Sequence, residues 1–228
     1  MKDRLLSLVH FFRILCKFPT YVYRLVKIRG IRKAALHLAS EFYSKKEFVI
    51  THHDLNSQAK ITIPQIKVNI VELITNRMQE IDDICKVWPS EFGFWRPEHL
   101  RLKLIRDLEN DNWCFYARSN GSVVGAVWVF KNDKILANCP VSHVPGERVV
   151  GRAFIVPQAR GMGLSKLLYN HAVKVAIERG VPQLFGLTFP RRIASIKSKV
   201  SVGFKVVGTL KIKTCFGRDT YKFVSNTR

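Results

Sequence analysis

The sequence predicts an α/β fold: a mixed, largely antiparallel sheet, a strand–glycine loop–helix unit at its centre, and a basic helical arm at the N-terminus. Three observations carry this. Residues 149–180 read VVGRAFIVPQARGMGLSKLLYNHAVKVAIERG, which is a β-branched run stopped by Pro157, then a glycine loop, then a long amphipathic segment. Asn120-Gly121 separates two apolar runs and is a strong hairpin signal. Charge is divided unevenly along the 228 residues: residues 1–46 hold 11 Lys/Arg against 2 Asp/Glu, residues 47–147 hold 11 against 13, and residues 148–228 hold 16 against 2. The net charge of +21 therefore gathers on the arm and on the half with the glycine loop. Such a balance calls for an anionic partner or surface.

In chain order, residues 1–40 come first. Leu5, Leu8, Phe11, Phe12 and Leu15 are interrupted by Arg4, His10, Arg13 and Lys17, and Pro19 separates this segment from a second basic helix around Gly30. No run of about 18 uncharged apolar residues exists, so a membrane span is not expected. Asp3 and Arg13 argue against a secretory signal. A basic amphipathic helix could lie on an anionic membrane surface. It could equally pack on the domain or on a second subunit of a homo-oligomer. Residues 43–58 read as a polar joint with a short strand at 48–51 and with His52 and His53 on the surface. The arm and joint together span residues 1–59, and the main domain spans 60–228.

Within that domain, residues 66–73 alternate as a first strand, and residues 76–88 form a helix with Met78, Ile81, Ile84, Cys85 and Trp88 inward. Phe92-Gly93-Phe94-Trp95 precedes Pro97, which opens a helix over 98–108. Residues 113–118 and 123–130 make the hairpin, and residues 132–146 form a loop around His143. After the central unit come a strand at 184–189, a helix at 191–202, and a final hairpin over 204–214 and 220–224. The five cysteines are scattered without a C-x-x-C pair. They predict apolar fillers, no metal site and a reducing cytoplasm.

The central unit has a physical use. First-turn amides of a helix lack intrahelical acceptors, and the dipole places partial positive charge there. Gly161 and Gly163 remove Cβ atoms from the approach, and Arg160 and Lys166 flank it, so a phosphate or pyrophosphate is the expected guest. No Gly-Lys-Ser/Thr triplet follows, and Lys166 stands where a dinucleotide loop has its third glycine. In the central helix, Leu164, Leu167, Leu168, His171, Val175 and Ala176 are expected to share the buried face.

Gln158-x-x-Gly161-x-Gly163, after a strand and opening a helix, resembles the acyl-CoA pyrophosphate loop of the GNAT family of N-acyltransferases. The resemblance continues to Gly203-Phe204 and covers about residues 68–224. It implies that a bulge at Ala153, Phe154 and Ile155 exposes backbone N–H groups to the acyl carbonyl and pantetheine arm. It implies that the pyrophosphate rests on the loop from Gln158 and Arg160 through Gly161, Met162, Gly163, Leu164, Ser165 and Lys166. It also implies cofactor contacts from Ser195 and from Arg191 and Arg192 toward the 3′-phosphate of CoA. The family often has an Asn and, seven residues on, a Tyr that protonates the leaving thiolate. Those positions hold Arg192 and Lys199 here. Lys199 could donate that proton or stabilise the thiolate, though by itself it reads as a solvated helix lysine. Glu147 and His143, just before the central strand, or a carboxylate of the first two helices, are candidate bases.

The expected activity is transfer of acetyl from acetyl-CoA, or of another acyl group from its CoA ester, to a primary amine. A small or glycan-precursor acceptor, anionic in character, suits the charge, and an acidic acyl carrier protein suits it as donor. The rival is a non-catalytic module that keeps the fold to bind CoA, membrane or nucleic acid. Specific nucleic-acid recognition is not expected, since no aromatic-basic repeat or recognition helix is present. The expected place is the cytoplasm, at the inner membrane face if the arm binds lipid.

Overall fold

Asn120 and Gly121 sit at φ 47° and 76°, the left-handed pair that a two-residue hairpin turn requires. The strands on either side of them lie within a single sheet. The structure, a computed structural model, describes residues 43–55, 68–73, 78–88, 97–131, 144–215 and 218–226. The arm up to residue 42, the 92–95 aromatic cluster, His143 and Gly217 of the last hairpin lie outside the described residues.

Eight strands are described: β1 (Tyr43–Asp54), β2 (Asn69–Glu72), β3 (Trp113–Ser119), β4 (Ser122–Lys131), β5 (Arg148–Ile155), β6 (Gln183–Thr188), β7 (Lys205–Cys215) and β8 (Arg218–Ser225). The helices are α1 (Met78–Lys86), α2 (Pro97–Glu109), α3 (Leu164–Glu178) and α4 (Ile193–Val200). The sheet order is β2-β3-β4-β5-β6-β1-β7-β8. β5 and β6 are parallel, joined through α3 as a crossover demands. The pairs β2–β3, β3–β4, β4–β5 and β1–β6 are antiparallel.

By internal contacts the chain divides into two units, residues 1–47 with 211–222, and residues 48–210 with 223–228. The described part of the smaller unit carries an exposed Lys211–Glu47 ion pair at 3.7 Å and Lys213 over the Tyr43 ring. The larger unit holds the core, which lies on both faces of the sheet. Phe115 and Ala117 of β3 and Val127 and Val129 of β4 pack with Leu168, Ala172, Val173 and Ala176 of α3. The alternate residues Cys114, Tyr116, Ala126 and Trp128 pack with Ile81, Ile84, Leu100 and Leu104 of α1 and α2. Side chains alternate across a strand, so a sheet covered on both faces needs near-continuous apolar strands.

The structure corrects several sequence expectations. The polar joint is largely β1, and its residues Val49 to Asp54 pair with β6. His53 is not on the surface. It is 3% exposed, its Nε2 contacts Val202 O at 3.0 Å, and its ring meets Phe204 edge-on at 5.1 Å. Burial pushes its pKa down. Met78 is exposed rather than inward, and so is Cys215. The buried face of α3 is Leu164, Leu168, Tyr169, Ala172, Val173 and Ala176, rotated from the expected one. Leu167, His171 and Val175 lie at its margin, half-buried.

Gly203 shows what the turn after α4 requires. Its φ is +97°, and a Cβ there would lie 2.5 Å from His53 Nε2. Only glycine fits both demands.

Candidate functional site

Two features open a cleft in the sheet. The first is a bulge in β5: Ala126 pairs with Phe154 and Trp128 with Gly151, so Arg152 and Ala153 together face Val127. Arg152 takes φ 46° at this point. Such an extra residue bends the strand and re-aims its groups. The second is the short β5–β6 ladder, which pairs Arg148, Val149 and Val150 with Leu184, Phe185 and Gly186 and then stops. Both strands continue beyond it, to Ile155 and Thr188.

The glycine loop closes one end. After a single 3-10 turn (Pro157–Ala159), Gly161 and Gly163 sit at φ 81° and 79°, and Gly163 is the left-handed N-cap of α3. No side chain caps this helix. Its first amides, from Leu164 on, therefore lack both an intrahelical acceptor and a capping oxygen. A Cβ built on Gly161 would meet nothing within 4 Å, so the loop is an open cradle suited to a pyrophosphate.

A cavity of about 560 Å³ lies against this loop. Ten of the fourteen residues the sequence assigned to the cofactor line it: Ala153, Phe154 and Ile155 at the bulge, Arg160, Gly161, Gly163, Leu164 and Ser165 at the loop, and Arg192 and Ser195 beside α4. Gln158, Met162, Lys166 and the exposed Arg191 are not among its lining residues. Gln158 and Met162 are exposed and Lys166 is half-buried on the first turn of α3. The sequence missed Tyr169, whose hydroxyl pairs with Ser195 Oγ at 2.9 Å and whose burial raises its pKa to about 12. The signal was present, since Tyr169 lies beside Leu168 on the stripe Leu164, Leu168, Ala172, Ala176 that recurs every four residues.

A second cavity of about 210 Å³ adjoins the first and shares Ala153, Tyr169, Arg192 and Ser195 with it. Lys199 lines this cavity, and the expectation of a solvated lysine is overturned. Lys199 is 1% exposed. Its Nζ donates to Thr188 Oγ1 at 2.8 Å and to Val150 O at 3.4 Å, and lies 5.3 Å from the Tyr169 ring centre. Burial lowers its pKa to about 7. Gly186 makes the room, because a Cβ there would stand 2.3 Å from Thr51 Oγ1 and 2.8 Å from Lys199 Nζ.

Glu147 is placed differently from its expected role as a base. It precedes β5, at the end of the strand away from the bulge, and lines neither cavity. It is 4% exposed, and its Oε2 accepts from Val144 N at 3.1 Å and Gln183 Nε2 at 2.8 Å. These bonds tie the chain entering β5 to the start of β6. Among the described residues, no cluster of His, Cys, Asp and Glu could hold a metal ion.

The sequence model of the Acetyltransferase (GNAT) family matches residues 78–198, more than half of the chain. The chain belongs to the GNAT acetyltransferase family. No curated protein matches it in sequence. Solved structures share its fold. A GNAT-family acetyltransferase from Colwellia psychrerythraea aligns at TM-score 0.53 and 14% identity, over 86% of this chain and 62% of that one. A functionally unknown conserved protein from Staphylococcus epidermidis aligns at 0.52 and 11%, over 79% and 65%. A Drosophila protein aligns at 0.51 and 18%, over 82% and 57%. The chain thus spans less than two thirds of the length of each. Against the GNAT pattern stated above, this protein departs at two side chains, Arg192 and Lys199, and the bulge and loop need only backbone.

Proposed function

We propose that this protein is an acyl-CoA-dependent N-acyltransferase that moves acetyl from acetyl-CoA to a primary amine. The observation that carries the proposal is a pair of adjoining cavities with shared walls, which bring together the β5 bulge, the uncapped glycine-loop end of α3 and the buried Lys199. Acetyl-CoA is the substrate these features suit. The first-turn amides and Arg160 would receive its pyrophosphate, and backbone groups at Ala153, Phe154 and Ile155 would receive the pantetheine arm and the acyl carbonyl.

The neutral amine nitrogen attacks the thioester carbonyl carbon, a C–N bond forms, and charge moves to the carbonyl oxygen. That oxyanion collapses, the C–S bond breaks, and the thiolate takes one proton while the amine nitrogen gives one up. Lys199, at a pKa of about 7, is the proposed donor to the thiolate, because a general acid works best with a pKa near the working pH. Solvent takes the proton from the amine.

The assay is release of free thiol from acetyl-CoA across an amine panel, paired with calorimetry of CoA binding. Tight CoA binding without thiol release would favour the rival reading, a CoA-binding module without catalysis. That reading draws on the missing family Asn and Tyr. The arm supports a separate proposal, binding to an anionic membrane surface, through its Lys/Arg excess beside Phe11 and Phe12. Full-length protein should sediment with anionic liposomes at low salt and be released as salt screens the charges. Indifference to such liposomes at low salt would end it.

A further inference from the structure

The smaller cavity carries a chemistry that amine acylation alone does not require. Of the described residues that line it, three are basic, Arg152, Arg192 and Lys199, and none is Asp or Glu. A site for a polycationic amine would surround it with carboxylates, and this one repels such a guest. Its wall is aromatic as well, with Phe48 and Phe189 4.7 Å apart and Phe130 beside Arg152.

Arg152 is the informative residue. It occupies φ 46° at the bulge, a left-handed conformation that favours glycine and strains a residue with a Cβ. Retaining arginine there points to a use for the side chain. Its guanidinium stands 4.7 Å from the Phe130 ring centre, and its Nη1 donates to Asp107 Oδ2 at 2.8 Å. Asp107 also pairs with Lys103. Two cations share one carboxylate, so the cluster keeps a positive charge at the cavity. Asp107 fixes one nitrogen of the fork, and a planar fork can engage a carboxylate or phosphate with the others.

We propose that this cavity is the acceptor subsite and that Arg152 makes it selective for an amine that also bears a carboxylate or phosphate next to an apolar or planar portion. The proposal rests on the acyltransferase reading above and adds the substrate class.

The test is calorimetry on full-length protein saturated with CoA, using two matched pairs: phenylalanine against 2-phenylethylamine, and glucosamine 6-phosphate against glucosamine. The anionic member of at least one pair should bind about tenfold tighter or better, and the pair that responds separates carboxylate from phosphate. Arg152→Gly removes the guanidinium while suiting the positive φ, so the fold should persist. That variant should lose the preference and keep its CoA affinity, because Arg152 does not line the larger cavity. Equal binding within both pairs, no binding of either anionic amine at millimolar concentration, or a preference that survives Arg152→Gly would each overturn the proposal. Thiol release on the same panel separates the two readings. Selective binding without thiol release leaves the subsite standing and sinks the enzyme, whereas thiol release confined to the neutral amines does the reverse.

Discussion

The two walls of the cleft are built by different means. The glycine-loop wall comes from one short stretch, Pro157 to Ser165, and works through backbone: two left-handed glycines and helix amides with no cap. The wall of the smaller cavity draws side chains from scattered elements, Phe48 of β1, Phe130 of β4, Arg152 of β5, Thr188 of β6 and Lys199 of α4. A backbone site tolerates almost any side chain that points away from it. A side-chain site depends on every neighbour that desolvates it. The first wall should therefore fail by steric intrusion, and the second by loss of one group or of its environment.

Removing the group at the centre of the side-chain wall should have the largest effect. Lys199→Ala is expected to lower kcat by about 10²-fold or more, within the usual range for a general acid, with little change in KM for acetyl-CoA. The wild-type rate should also fall as pH rises through about 7, where Lys199 loses its proton, and the variant should lack that limb. Undiminished turnover in Lys199→Ala would leave the lysine a buried structural donor.

Two glycines sharpen the comparison, because both hold positive φ in opposite surroundings. Gly203→Ala drives a Cβ to 2.5 Å from His53 Nε2. Stability should drop by about 2 kcal/mol or more, read by urea unfolding. Gly161→Ala puts its Cβ into open space, at φ +81°. The cost to the fold should be smaller, about 1 kcal/mol, while CoA affinity falls about tenfold, or ~1.4 kcal/mol, by calorimetry. If Gly161→Ala binds CoA as wild type does, the loop is not the pyrophosphate cradle.

A further signal is in the pH dependence of stability. An unfolded lysine holds its proton up to about 10.5, whereas folded Lys199 holds it only to about 7. Between those values the unfolded chain binds the extra proton, so stability should rise with pH across that window. The slope is at most ~1.4 kcal/mol per pH unit. Below about 7 both states are protonated, and Lys199 adds no slope there. Chemical unfolding at a series of pH values should show the rise in wild type and lose it in Lys199→Met.

Sequence by itself determined the parts whose physics is local. The hairpin at Asn120-Gly121, the strand stopped by Pro157, and the loop that leaves α3 uncapped follow from residues within a few positions of one another, where φ preferences and missing Cβ atoms decide the outcome. Ten of the fourteen residues assigned to the cofactor meet in one cavity for that reason. Tertiary structure decided the rest. Lys199 looks like any helix lysine until Val150, Thr188 and Tyr169 enclose it, and His53 looks like a surface residue until Val202, Gly203 and Phe204 pack over it. Glu147 looks like a free carboxylate until Gln183 and the Val144 amide engage it. A side chain's charge state and reach are set by the atoms that replace its water, and those atoms come from residues as much as 149 positions away in the chain.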